Sequence, residues 1–117
     1  MKIITEKLTL NELKQMAAAI FGNLVKAVVD VERGLIAVDA ELHSDLEALL
    51  LANGSKQKDI WGINLYPELP RGEFIEFDSM INMRPSQGNR SRNIENEETR
   101  RKIIEIVAER VTGELSA

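Results

Sequence analysis

Cysteine is absent from the 117 residues, and aromatic side chains make up only 4% of them. Without thiols there is neither a disulfide nor a thiolate metal site, and a reducing cytoplasm is the natural setting. Long apolar runs are missing as well. The longest nearly uncharged run, Gln15 to Val25, is too short and too Ala-rich to span a bilayer, and the N-terminal MKIITEKL has no signal-peptide core. The expectation is a soluble, cytoplasmic protein with no membrane partner. An excess of basic residues is also missing: 15 Lys and Arg stand against 19 Asp and Glu, a net charge of −4, which argues against a general nucleic-acid footprint. The length fits one domain, residues 1–117, with room for a core of its own.

What is present is organised around Glu73 to Arg92, EFIEFDSMINMRPSQGNRSR. From Phe74 the residues alternate with the two-residue period of a strand. Ile75, Phe77, Ile81 and Met83 fall on one face, and Glu76, Asp78, Asn82 and Arg84 on the other. Pro85 cannot donate to a ladder and biases Arg84 to an extended conformation, so the strand is expected to stop near Arg84. The polar residues around Gly88 that follow read as a loop. Between Ser79 and Ile94 there is no acid, while Arg84, Arg90 and Arg92 all fall there.

The remaining elements follow from capping and periodicity. Ile3 and Ile4 form a candidate edge strand. Thr9 and Glu12 make a capping box with Leu8 and Leu13 as its staple, opening a helix with a Met16, Ala17, Ile20, Phe21 stripe that ends at Gly22. Val25 to Val31 and Ile36 to Leu42 alternate about Arg33-Gly34 as a hairpin. A two-residue loop there pairs Val31 with Ile36 and Val29 with Val38, and sets Lys26 across from Glu41. Ser44 and Glu47 suggest a second capping box, for a helix closing at Asn53-Gly54. Asp59 to Tyr66 reads as a strand with Trp61, Ile63 and Leu65 facing the core, hairpinned to the strand from Phe74. Asn96 caps a final helix with Glu97 and Glu98 in its first turn, an Ile103, Ile104, Val107, Val111 stripe, and Gly113 as its stop. The order (β)-α-β-β-α-β-β-α implies an α+β two-layer sandwich: a four-stranded antiparallel sheet, the N-terminal edge strand as a fifth, and three helices roofing its apolar face. The opposite face is expected to be polar.

The segments WGINLYP and FIEFDSMINMRPSQGNRSR resemble those of a family of small uncharacterised prokaryotic proteins, and the likeness runs over nearly the whole chain. The resemblance implies a cytoplasmic prokaryotic protein of one domain. It implies no activity.

Three functional readings follow from the chemistry. The first is a binding module for a phosphate-bearing ligand, RNA or a nucleotide included. Arg84, Asn89, Arg90 and Arg92 would supply paired, charge-assisted bonds, helped by Gln87 and the backbone at Gly88, with Asp78, Asn82 and Asn64 on the adjoining polar face. These arginines can equally pair with Glu76, Asp78 or the acids from Glu95 to Glu98. No Walker or dinucleotide motif accompanies them, and no cofactor is implied. The second is a metal-dependent hydrolase or nuclease using Asp39, His43 and Asp78 around a divalent ion, with Glu41 beside them, although Glu41 already has a partner in Lys26. The third is a protein-interaction or homo-oligomeric module without catalysis. Trp61 reads as core, while Tyr66 beside Asn64 is free to stack on a base, and Gly62 between them marks a bulge or room for a ligand. The first reading is preferred, with no metal ligand assigned. Whether the protein catalyses anything stays open.

Overall fold

A computed structural model describes residues 1–113. Its five-stranded sheet has the order β1-β4-β3-β5-β6, antiparallel at every pairing, built from β1 (Lys2–Ile4), β3 (Val25–Asp30), β4 (Leu35–Val38), β5 (Ile60–Leu65) and β6 (Ile75–Glu76). A two-stranded parallel pair, β2 (Leu8–Thr9) with β7 (Val111–Thr112), ties the two ends of the described chain together. The helices are α1 (Leu10–Ala19), α2 (His43–Ala52) and α3 (Glu97–Arg110). The α+β class, the antiparallel sheet, the three helices and the N-terminal edge strand are all as expected from the sequence.

The second face of the sheet differs from expectation. Odd-numbered residues of β3 and β5, Val25, Ala27, Val29, Trp61, Ile63 and Leu65, share the main core with Leu13 of α1 and Ile103 of α3. The even positions are covered too. Val28 and Ile60, with Leu35 and Ala37 of β4, pack against Leu46 and Leu50 of α2. The helices are therefore divided between the faces, and the face read as polar is buried over most of its length. Four leucines in α2 follow too closely to mark one stripe, so periodicity alone does not say which face this helix covers.

Local registers also shift. The hairpin turn spans residues 31–34 rather than two residues, so Val29 pairs with Ile36 and Ala27 with Val38. The cause is Asp30, whose Oδ1 accepts from the N–H groups of Glu32 and Arg33 at 2.9 Å while its carbonyl accepts from Gly34 at 2.9 Å. A shift of two residues keeps every side chain on its expected face, but β4 ends at Val38 and Glu41 never opposes Lys26. Lys26 instead neighbours Asn64 of β5.

Helix α1 is capped by Thr9 as expected, its hydroxyl accepting from Glu12 N–H at 3.0 Å, and α3 by Asn96, accepting from Thr99 N–H at 3.0 Å. Helix α1 ends at Ala19, leaving Ile20 and Phe21 exposed, and α3 leaves Ile104 exposed. Ser44 does not cap α2. The helix begins two residues earlier, with Leu42 at the N-cap and no side-chain cap, and Glu47 is engaged by Gln57 Nε2 at 2.6 Å instead of folding back.

The expected long strand from Phe74 to Arg84 is the largest correction. Only Ile75–Glu76 pairs with β5, after which the chain enters 3-10 turns at Met80–Asn82 and Pro85–Gln87. Ser79 ends the ladder by accepting Ile81 N–H on its hydroxyl at 3.3 Å and donating its own N–H to Arg92 O at 3.1 Å. Short polar side chains offer the backbone a local alternative to pairing, and here that alternative wins.

Candidate functional site

Where β6 stops, side chains replace the missing strand along the edge of β5. Asn82, fully buried, accepts Gly62 N–H on Oδ1 at 2.8 Å and donates Nδ2 to Gly62 O at 2.9 Å. Arg84, 8% exposed, donates Nε to Ile81 O at 2.9 Å, Nη1 to Gln57 O at 2.9 Å, and Nη2 to Ile60 O. Its guanidinium also stacks 4.5 Å from the Trp61 ring, with the Glu47 carboxylate 3.8 Å away. Burial lowers its pKa, and Glu47 partly offsets this. Arg84 and Asn82 thus complete the sheet with the donors expected to face a ligand.

The other expected residues are spread over the surrounding loop. Asn89 is buried, donating to the carbonyls of Asn82 (2.7 Å) and Asn93 (2.7 Å) while accepting Glu95 N–H at 2.9 Å. Arg90 is exposed, and its N–H donates to Glu95 Oε2 at 2.8 Å. That bond, with the hydroxyl and N–H of Ser91, holds the Glu95 carboxyl below its usual range. Arg92 pairs with Asp78 at 2.7 Å. Asn64 is buried and donates to Glu76 Oε1 at 2.8 Å and Asp78 O at 3.3 Å, while its Oδ1 has no partner among the described residues. Tyr66, free to stack in the sequence reading, donates its hydroxyl to Glu76 Oε1 at 2.8 Å. Trp61 is core, as expected. Gly62 is neither bulge nor vacant space, since a Cβ there would lie 2.6 Å from Ser79 Cβ.

The metal constellation does not assemble. Asp39, at the left-handed φ of 72° that ends β4, lies 4.0 Å from the Met1 amino group. No group of three or more His, Asp or Glu among the described residues could hold a metal ion.

Two concave places border residues singled out in the sequence for anion binding. A cleft of about 550 Å³ opens over Trp61, with Lys58, Asp59, Gln87, Asn89 and Glu95 among its lining. Its one lysine already pairs with Asp59 at 2.8 Å, so two carboxylates and one neutralised cation give it no pull on an anion. The second is a hollow of about 170 Å³ at the start of α2, lined by Lys26, His43, Ser44, Ser79 and Arg92, with Leu42 and Met80 at its apolar side. His43 is nine-tenths buried, and its Nε2 lies 2.7 Å from Ile63 O, which can only accept; Nε2 therefore carries the proton. Nδ1 has no hydrogen-bond partner among the described residues. Burial pushes the His43 pKa down, the Ile63 carbonyl opposes this, Lys26 and Arg92 lower it further and Asp78 raises it, so the ring is neutral at pH 7. The first turn of α2 presents backbone N–H groups that no side chain caps.

Of the residues singled out in the sequence for anion binding, Arg92 alone lines this hollow. In the sequence Lys26 reads as half of a cross-strand pair and Ser44 as a helix cap. The available signal was Lys26 itself, the one basic residue within the two strands of the first hairpin, on what becomes the α2 side of the sheet.

Fold and hollow together define a small α+β protein with an antiparallel sheet covered on both faces and a basic recess at one helix start. The chain belongs to the family described as protein of unknown function (DUF5674), which matches residues 2–110. The resemblance to a family of uncharacterised proteins over nearly the whole chain is thereby borne out. No curated protein and no solved structure matches the chain. No helix among the described residues is long and apolar enough to cross a membrane.

Proposed function

We propose that the protein is a binding module for a small ligand carrying a phosphate or carboxylate group, seated in the hollow at the start of α2. One observation carries this reading: Lys26, Arg92 and Ser44 meet beside His43 at a helix start that has no side-chain cap. Lys26 supplies the uncompensated charge, and Arg92, paired with Asp78, adds guanidinium donors from a second element. Asp78 holds Arg92 in place through its 2.7 Å bond without neutralising Lys26. The amides of the first α2 turn and the Ser44 hydroxyl add donors, and the helix dipole favours negative charge at that end. The anion reading taken from the arginine loop is kept, and its seat moves to the other side of Arg92. A recess of this size and the net charge of −4 favour a terminal anionic group over a nucleic-acid backbone.

The test is thermal unfolding in sodium phosphate against sodium chloride at equal ionic strength. A ligand that binds only the folded chain raises the midpoint as its concentration passes Kd. The expected result is a phosphate-specific rise that Lys26→Ala and Arg92→Ala each remove. Equal midpoints in the two salts, with no rise from an organic phosphate at the same ionic strength, would count against the reading.

A further inference from the structure

Several large apolar side chains left open to solvent gather around the same hollow. Leu42, 54% exposed, and Met80, 63% exposed, line it directly. Phe21, 40% exposed, stands beside Lys26, whose ammonium lies 5.0 Å from the ring centroid. A lone exposed Leu or Met needs no explanation. A set of them at the rim of a basic recess is different, because each would gain by leaving water only if something apolar covered it.

Their origins in the chain make the arrangement informative. Leu42 holds the N-cap position of α2, where Ser, Thr, Asp or Asn would bond the first-turn amides. Ser44 and Asp45 lie close by in sequence, yet the helix starts with leucine at the cap. An apolar N-cap leaves the His43 and Ser44 amides without a side-chain cap and puts an aliphatic surface beside them. Met80 comes from the 3-10 turn that replaces the expected strand, and the turn directs it outward while its neighbour Ser79 is buried. Methionine is unbranched and polarisable, so it adapts to aliphatic and aromatic partners alike.

From this juxtaposition of Leu42 and Met80 with Lys26, His43 and Arg92, we infer that the ligand is a small amphiphilic anion: a phosphate or carboxylate head in the hollow and an aliphatic or aromatic group lying over Leu42 and Met80. The inference rests on the anion reading above and specifies the rest of the molecule. Sugar phosphates and inorganic anions, which would leave the two side chains bare, are then poor ligands.

Calorimetric titrations of the full chain with inorganic phosphate and with phenyl phosphate test it, on the wild type and on Leu42→Ala/Met80→Ala. Alanine is used because serine at position 42 would cap α2 and compete with the ligand. The expected result is phenyl phosphate binding about tenfold tighter than phosphate, the gain from removing on the order of 50–60 Å² of apolar surface from water. In the double variant that advantage should fall to within about twofold while phosphate affinity is kept. Phenyl phosphate bound and phosphate undetected, with binding lost in the double variant, also supports the inference. Equal affinities in the wild type, or an advantage that survives in the variant, would overturn it and leave the anion reading standing. No binding of either compound would remove the anion reading itself. Binding to vesicles of anionic phospholipid without binding of phenyl phosphate would overturn the inference in favour of a lipid surface.

Discussion

Asn82 holds both the N–H and the C=O of Gly62 with a single carboxamide, at 2.8 and 2.9 Å, and so serves β5 as an adjacent strand would. Its Nδ2 also reaches Arg92 O at 3.0 Å, linking the sheet edge to the loop that carries the anion-facing arginine. Replacing it by leucine keeps the bulk and strips the partners from two buried backbone groups. Asn82→Leu is expected to cost about 2–4 kcal/mol, measured by urea unfolding. A loss below about 1 kcal/mol would mean that water or a shifted backbone takes over both bonds.

Gly62 and Ser79 are matched by contact. A Cβ at position 62 would meet Ser79 Cβ at 2.6 Å and Ser79 Oγ at 2.7 Å. Gly62→Ala should therefore destabilise by about 1–3 kcal/mol through overpacking. Adding Ser79→Gly should recover part of that loss, so that the double variant is more stable than the sum of the single costs implies. Strict additivity in the two unfolding curves would place the strain elsewhere.

Arg84 separates folding from binding. Its planar fork is occupied by three carbonyls and its face by Trp61. Lysine cannot reproduce that geometry. Arg84→Lys is expected to lose about 2–3 kcal/mol of stability and to bind phosphate as the wild type does once folded. Reduced phosphate affinity at full occupancy of the folded state would return Arg84 to the ligand.

These residues also show how much of the protein was legible in its sequence. Caps at Thr9 and Asn96 and the alternation in β3, β4 and β5 carry local information and place those elements, although β4 stops at Val38, short of the expected Leu42. The hairpin register failed because Asp30 builds the turn with its side chain, an effect invisible to face alternation. The strand from Phe74 failed because Ser79 and Asn82 take the hydrogen bonds a ladder would have used, although Ile75, Phe77 and Ile81 have strand spacing. For the candidate site, positive charge pointed to the right neighbourhood through Arg92. It did not say that Arg84 would be consumed by carbonyls, or that Lys26, far away in sequence, would face the same space. Burial and long-range contact decide those questions, and neither has a local signature.

His43 gives stability a pH dependence of known sign. Its folded pKa lies below the ordinary value of 6.5, chiefly through burial, with the Ile63 carbonyl opposing and Lys26, Arg92 and Asp78 nearby. The unfolded chain therefore takes up this proton first as pH falls. Stability from this group is full above about 6.5 and is lost as pH drops from there through the folded pKa, at no more than about 1.4 kcal/mol per pH unit. His43→Asn should flatten that part of the stability profile between pH 7 and 5. Because carboxylates titrate at the lower end, the quantity to compare is the difference between the two profiles. An unchanged slope in the variant would mean that the imidazole is free to protonate in the folded state.

Amide chemical shifts report directly where an anion sits. In a titration of the ¹⁵N-labelled chain with phosphate at constant ionic strength, the hollow predicts saturable shifts at Lys26, His43, Ser44 and Arg92, with Gly88, Asn89 and Arg90 unmoved. Saturable shifts confined to residues 87–90, or shifts that grow linearly and spread over the surface, would contradict it.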